Sequence, residues 1–168
     1  MDLSTFVRDI PDFPKPGIIF KDITPLLGDD NAFNVCANQL CNLVEEKIDK
    51  VVCIDARGFF FGGILAQKLQ AGFVPVRKKG KLPYETIEES YSMEYGDDVL
   101  QIHKDAIKPG EKVLLHDDVL ATGGTANAVC KLIERLGGEI IQCNFIIELN
   151  FLEGAKKLNY PVKSVITY

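Results

Sequence analysis

The stretch VLLHDDVLATGGTANAVC, Val113–Cys130, places two adjacent carboxylates, Asp117 and Asp118, four residues ahead of Thr122-Gly123-Gly124-Thr125. The apolar run before the acids reads as a buried strand that breaks on them, and a helical pattern begins after the glycines. Ala121–Thr125 is then a strand-to-helix loop with two glycines, two threonine hydroxyls and successive backbone N–H groups. Glycine lets a backbone approach an anion closely, and a helix start offers unpaired donors and a partial positive charge. A phosphate fits that description, and so does a plain tight turn. No lysine follows the glycines and no GxGxxG occurs, so this is neither a Walker loop nor a dinucleotide fingerprint.

The acids narrow the choice. Adjacent carboxylates repel each other and would repel a bare phosphate beside them. Asp117 and Asp118 therefore suit a divalent cation, or a neutral hydroxyl-rich group lying next to the anion. A ribose 5-phosphate meets both demands, with its phosphate in the loop and its two hydroxyls donating to the carboxylates. Asp55-Ala56-Arg57-Gly58 is a second strand-to-helix turn, where the planar fork of Arg57 is a candidate oxyanion ligand. Arg77, Lys78, Lys79 and Lys81 cluster at the end of a third strand. Two anion sites flanking a diol-binding acid pair describe one ligand, a sugar phosphorylated at one end and carrying pyrophosphate at the other.

These residues need elements to hold them. Lys50–Asp55, Gly72–Arg77, Val99–His103, Lys112–Asp117 and the run IIQCNFIIEL read as strands, with PVKSVIT as the last. Helical spacing covers Asn31–Lys47, about Gly58 to Leu69, and about Thr125 to Leu136, the last stopped by Gly137-Gly138. Apolar strands alternating with helices predict an α/β domain with a mostly parallel central sheet flanked by helices. Ligands of such sheets bind beyond the carboxyl ends of the strands, which selects Asp55–Gly58, Arg77–Gly96 and Asp117–Thr125. Pro11, Pro14, Pro16 and Pro25 make residues 1–30 an extended arm or hood. Residues 78–96 are polar and weakly periodic, and with Tyr84, Tyr91, Met93 and Tyr95 they read as a mobile lid over the site.

Composition bounds the rest. The chain of 168 residues suggests a single domain, 46% of it hydrophobic, with a formal net charge of −5 and no basic run, which argues against a nucleic-acid partner. The longest apolar run falls short of the ~18–20 residues that span a membrane, and the N-terminus has early acids and no apolar core, unlike a secretory signal. Cys36, Cys41, Cys53, Cys130 and Cys143 are odd in number and without a CxxC pair, as expected of reduced thiols in a cytoplasmic protein.

VLLHDDVLATGGT resembles the phosphoribosyl pyrophosphate signature of type I phosphoribosyltransferases. DFPKPGIIFKDITPLL, DARGFFFGGILAQKL, RKKGKLPYETIEESYSMEYG and ELNFLEG resemble, in order and over nearly the whole chain, the adenine phosphoribosyltransferase family. The resemblance implies a type I phosphoribosyltransferase fold and transfer of phosphoribose to N9 of adenine, giving AMP and diphosphate, in a cytoplasmic homodimer. It implies that Ala121, Thr122, Gly123, Gly124 and Thr125 hold the 5-phosphate, and Asp117 and Asp118 the ribose. Ala56, Arg57, Gly58, Arg77, Lys78, Lys81 and Tyr95 would face the diphosphate, and Ile19, Phe20, Lys21 and Leu149 the adenine. Glu94 and Arg57 would be catalytic, with Mg2+ held mainly by substrate and reached by Asp117 through water. The family usually has Ser at the position of Ala56 and often Arg at that of Lys21, changes that are neutral where those positions act through the backbone. The same chemistry on hypoxanthine, xanthine or orotate is the nearest alternative, and a non-catalytic sensor of the same sugar phosphate the other.

Overall fold

The computed structural model describes residues 1–93 and 96–168, and the chain divides into two compact units, Met1–Gln39 and Leu40–Tyr168. In the first, a 3-10 turn at Leu3–Phe6 is capped by Asp2, whose carboxylate accepts from the Ser4 N–H at 2.9 Å. Strands β1 (Arg8–Pro11) and β2 (Ile19–Asp22) then pair as an antiparallel ribbon, followed by helix α1 (Thr24–Gly28). Of the prolines that suggested an arm, Pro14 and Pro16 lie in the loop between these strands, Pro11 ends β1 and Pro25 is in the first turn of α1. The expected arm stops at residue 30, whereas the first unit runs to Gln39 and includes much of helix α2 (Asp30–Asn42).

The second unit is built on strands β3 (Lys50–Ile54), β4 (Gly72–Lys78), β5 (Thr86–Met93), β6 (Gly96–His103), β7 (Lys112–Leu120), β8 (Glu139–Glu148) and β9 (Val162–Thr167). They form one sheet in the order β5-β6-β4-β3-β7-β8-β9. β4, β3, β7, β8 and β9 run parallel, while β6 pairs antiparallel with both β4 and β5. Helix α3 (Phe59–Lys68) packs on β3 and β4, with Phe59 edge-on to Phe73 at 5.4 Å. Helix α4 (Gly124–Arg135) covers the strands from β5 to β8 and buries Ala126, Val129, Cys130 and Ile133 against Val52, Ile54, Leu115 and Phe145. Helices over the central strands explain the continuous apolar run of β3. Among the described residues no helix is long and apolar enough to cross a membrane.

The end of α4 follows from its two glycines. Gly137 adopts φ +83°, its N–H donates to Glu134 O at 2.9 Å, and Gly138 N–H donates to Ile133 O at 3.0 Å. That pair of bonds is the Schellman stop expected of Gly137-Gly138.

Two expectations change in the structure. β7 does not stop at Asp117: it continues to Leu120, because β8 goes on pairing with it through Leu120↔Glu148 after β3 has ended its own pairing at His116. The acid pair is therefore inside a strand, at the point where one of that strand's neighbours leaves. Most of 78–96 is not a loop either. Thr86–Met93 is β5, in register with β6 from Thr86↔His103 to Met93↔Gly96. Its inward positions Ile87, Glu89 and Tyr91 are half-buried and alternate with exposed Glu88 and Ser90. An inward glutamate hides the period, and it is tolerated because Lys131 and Arg135 of α4 reach it at 3.3 and 3.4 Å.

His116 is one of several polar residues buried among the described residues. It is 0% exposed, with Nδ1 and Asn144 Oδ1 2.8 Å apart, and Asn144 in turn donates to Leu40 O at 3.3 Å. Asn144 can only accept through Oδ1, so the ring carries a proton on Nδ1. Burial, opposed by the Asn144 bonds, lowers the imidazole from 6.5 to about 4. The neutral ring's contribution to stability is whole above pH 6.5 and is lost as pH falls towards 4, at ~1.4 kcal/mol per pH unit. Urea unfolding should show wild type losing ~2 kcal/mol more than His116→Gln between pH 6.5 and 5; equal losses would mean the ring is charged in the fold.

Candidate active site

The spatial neighbours of the acid pair are set by the departure of β3. Past Ile54 the chain turns through Asp55, Ala56, Arg57 and Gly58 into α3, with a cis Asp55–Ala56 peptide. This turn lies against the uncovered edge of β7. Arg57 Nε is 2.8 Å from Asp118 Oδ2, and a Cβ built on Gly58 would stand 2.7 Å from Ile54 O and 2.9 Å from Asp117 Oδ1. Only a residue without a side chain lets the turn close on the aspartate. Asp118 is 4% exposed, and Asp117 is half-buried with Oδ1 accepting from the Asp118 N–H at 2.9 Å.

Two adjacent carboxylates, one buried and one half-buried, are costly. Burial pushes Asp117 well above the usual carboxylate range, the charge of Asp118 adds to the rise, and Arg57 opposes it. Asp118 is raised by burial against the pull of Arg57. The pair titrates as a unit and holds its second proton more tightly than free carboxyls do. A ligand that brings hydroxyl donors or positive charge relieves this strain, which is what a binding site for either would look like.

On the other side of Asp117 the loop Ala121–Thr125 leads into α4. Gly123 adopts φ +80°, and the backbone of Gly154, from the β8–β9 connection, presses on it. A Cβ on Gly123 would meet Gly154 O at 2.4 Å, and one on Gly154 would meet Ala121 O at 2.2 Å. Two bare backbones in contact hold the loop in shape. A hollow of about 80 Å3 is lined by Asp117 and Val119–Ala126. Beside it a cleft of about 220 Å3 is lined by Ile54, Asp55, Ala56, Arg57, Lys78, Tyr91, Leu100, Asp117, Asp118 and Thr125.

The structure thus brings together Ala56, Arg57, Lys78, Asp117, Asp118 and Thr125, predicted from three separate stretches. Gly58 underlies them. Arg77 is tied to Asp55 with Nε–Oδ2 at 2.9 Å, and its Nη1 donates to Lys81 O at 3.3 Å, which links the third basic stretch to the same rim. Leu149 is buried, and its N–H donates to Leu120 O at 3.0 Å beside the anion loop. Ile19, Phe20 and Lys21 form most of β2 in the first unit, where Ile19 is 56% exposed. Glu94 and Tyr95 lie outside the described residues. Sequence reasoning missed Asp98 and Gly154. Neither is marked by local pattern, since a turn-like GDDV and a lone glycine are common, and both matter only through partners distant in the chain.

A mostly parallel sheet with a glycine-bearing strand-to-helix loop and an acid pair at its carboxyl edge is an arrangement suited to a phosphorylated sugar. The phosphoribosyl transferase domain family matches residues 29–167. Adenine phosphoribosyltransferase of Christiangramia forsetii is 62% identical, with 100% of this chain and 99% of the relative covered, and that of Thermotoga maritima is 54% identical over 100% and 98%. The solved adenine phosphoribosyltransferase of Rhodothermus marinus superposes with a TM-score of 0.94 at 54% identity, covering 99% of this chain and 96% of that one. The Saccharomyces cerevisiae enzyme, solved with an iminoaltritol bisphosphate and adenine, gives 0.93 at 41% identity over 98% and 96%. The chain belongs to the adenine phosphoribosyltransferase family.

Proposed function

We propose that the chain transfers the phosphoribosyl group of 5-phospho-α-D-ribose 1-diphosphate to N9 of adenine, releasing AMP and diphosphate in purine salvage. The observation that carries this is the Asp117–Asp118 pair set between the Ala121–Thr125 loop and the Arg57 turn. The loop takes the 5-phosphate, the acids accept from the 2- and 3-hydroxyls, and Arg57, Arg77, Lys78 and Lys81 face the diphosphate with the backbone of Ala56 and Gly58 and with Tyr95. The family resemblance assigns adenine binding to Ile19, Phe20, Lys21 and Leu149. The bond from C1 to the diphosphate oxygen breaks with its electron pair going to oxygen, N9 forms the new bond to C1, and the N9 proton is given up.

As that bond lengthens the sugar acquires oxocarbenium character and the leaving group gains charge. Fixed cations aimed at the developing charge are the largest catalytic term such a site can supply, and Arg57 heads them. Asp117 and Asp118 offer hard carboxylate oxygen donors on the wall of the cleft, a donor type that suits Mg2+. Mg2+ bound there, mainly through the substrate's oxygens and through water to Asp117, would neutralise the leaving diphosphate. The 78–96 segment serves as the lid that excludes water, and the working form is a cytoplasmic homodimer.

Diphosphate release from 5-phosphoribosyl 1-diphosphate, measured over adenine, hypoxanthine, xanthine and orotate with Mg2+ or excess chelator, tests the reading. Release with adenine and Mg2+ alone is expected; release preferring another base, or unaffected by chelator, overturns it. The acid pair has its own test. Asp117→Asn with Asp118→Asn relieves mutual repulsion, so the melting temperature should hold or rise. Substrate binding should weaken, since each charge-assisted hydroxyl bond is worth roughly 1.5–3 kcal/mol. A folded double variant that binds the sugar diphosphate normally would leave the acids a structural role.

A further inference from the structure

Lys78 lines the larger cleft, and its ammonium stands 2.7 Å from Asp98 Oδ2. Asp98 is on β6, directly across from Tyr91 on β5. The Tyr91 hydroxyl donates to the same carboxylate oxygen at 3.4 Å, and the Val99 N–H donates to Oδ1 at 2.9 Å. Both oxygens of Asp98 are therefore engaged, and the carboxylate is fixed in direction. Tyr91 also bonds Thr125 at the start of α4, so Lys78, Asp98, Tyr91 and Thr125 form one polar chain along the cleft wall.

Two other cations of this rim also carry an acid. Arg57 is on Asp118 and Arg77 is on Asp55, two acids that stand at the carboxyl edge of the parallel strands. Asp98 differs from them, since it belongs to the antiparallel hairpin and has no place in the ligand. The Lys78 side chain is 62% exposed while that of Asp98 is 20% exposed. The acid is held and the long ammonium arm is free to leave it, because nothing but charge keeps an exposed lysine on a partner. The pairing lowers the Asp98 carboxyl and raises the Lys78 ammonium, both chiefly through the bond between them, so both are charged at neutral pH.

We infer that Asp98 is an internal competitor for the diphosphate subsite, a fixed carboxylate that occupies Lys78 in the free protein and that the incoming diphosphate must displace. The inference rests on the reading of Lys78 as a diphosphate ligand. Two effects act in one direction. The ammonium must be given up by Asp98 before it can bind phosphate oxygens, and the vacated carboxylate then repels the bound anion from a few ångströms away. Asp98 thus sets diphosphate affinity below what the cations alone would give, and it retakes Lys78 as the product diphosphate leaves.

Titration calorimetry with inorganic diphosphate and Mg2+, and separately with ribose 5-phosphate, decides the matter on the full chain. Asp98→Asn keeps the shape and the Val99 contact, so thermal melting should confirm an intact fold. Its Kd for diphosphate should fall by about three- to tenfold at low salt and by less at high salt, where screening weakens the competition. Ribose 5-phosphate affinity should not move. A Kd that is unchanged or raised by Asp98→Asn overturns the inference, a rise meaning that Asp98 positions Lys78 for the ligand. Lys78→Ala separates the two claims: it should weaken diphosphate binding and abolish the gain from Asp98→Asn in the double variant. If Lys78→Ala alone leaves diphosphate binding unchanged, the assignment of Lys78 itself fails. If Lys78→Ala weakens binding but Asp98→Asn still tightens it in the double variant, competition for Lys78 is excluded.

Discussion

Adenine should exceed hypoxanthine by ~10²–10⁴ in kcat/KM, and Lys21→Ala should keep most of that preference. Adenine offers an N6 donor beside an N1 acceptor, which suits a backbone C=O next to a backbone N–H. Hypoxanthine reverses both, with an O6 acceptor beside an N1–H donor. Each mismatched group buried without a partner costs roughly 1–3 kcal/mol, and two of them give the stated range. A strand is a good place for such a reader, because alternate residues send their N–H and C=O groups to the same edge. Ile19 and Lys21 are two apart on β2 and so are matched in direction. The ribbon is stiff: Phe13 and Phe20 meet edge-to-face at 5.1 Å, and Gly17 N–H donates to Asp12 at 2.8 Å across the connecting loop. The Lys21 side chain is engaged elsewhere, its ammonium 2.7 Å from Asp9 on β1. With its side chain so engaged, lysine in place of the arginine often found in the family is tolerable wherever this position acts through its backbone. Steady-state kinetics with both bases check this, and equal kcat/KM in the wild type would remove the adenine assignment. Loss of preference in Lys21→Ala alone would move the reading to the side chain.

Glu94→Ala should lower kcat by ~10²–10⁴ with little change in KM for the sugar diphosphate. As N9 attacks C1 the purine ring gains positive charge, and a carboxylate near N7 can accept or share the ring proton; help of that kind has this magnitude. Glu94 is the acid that the family resemblance puts nearest the base, and it follows directly on Met93, where β5 ends. β5 is anchored to α4 through Glu89, and Arg135 Nη1 also donates to Glu88 O at 2.7 Å. The segment carrying Glu94 thus springs from a strand fastened beside the cleft. Single-turnover rates isolate the chemical step. A variant with wild-type kcat would mean that the base needs no such proton acceptor, or that another group supplies it.

The sequence by itself determined the local half of this protein. Asp117 and Asp118 stand a fixed few residues from the Ala121–Thr125 loop, and strand and helix periods on either side put both at a sheet edge, because apolar spacing reports burial along one element. The family's longer motifs follow the same logic, since each is one continuous run of sequence through a few consecutive elements. What spacing cannot encode is which distant element faces which. That the cleft opens because β3 stops at Ile54 while β8 carries β7 on to Leu120 is a property of three strands together. The seating of Gly154 on the Ala121–Gly123 backbone, the Arg57–Asp118 pair and the hold of Asp98 on Lys78 likewise join residues far apart in the chain. β5 stayed hidden for a related reason. Its inward glutamate breaks the apolar alternation, and only cations projecting from α4 make that glutamate acceptable there. Local pattern follows from what a residue does to its own backbone and its own face, whereas the charge balance and close contacts of the site exist only once separate elements have packed.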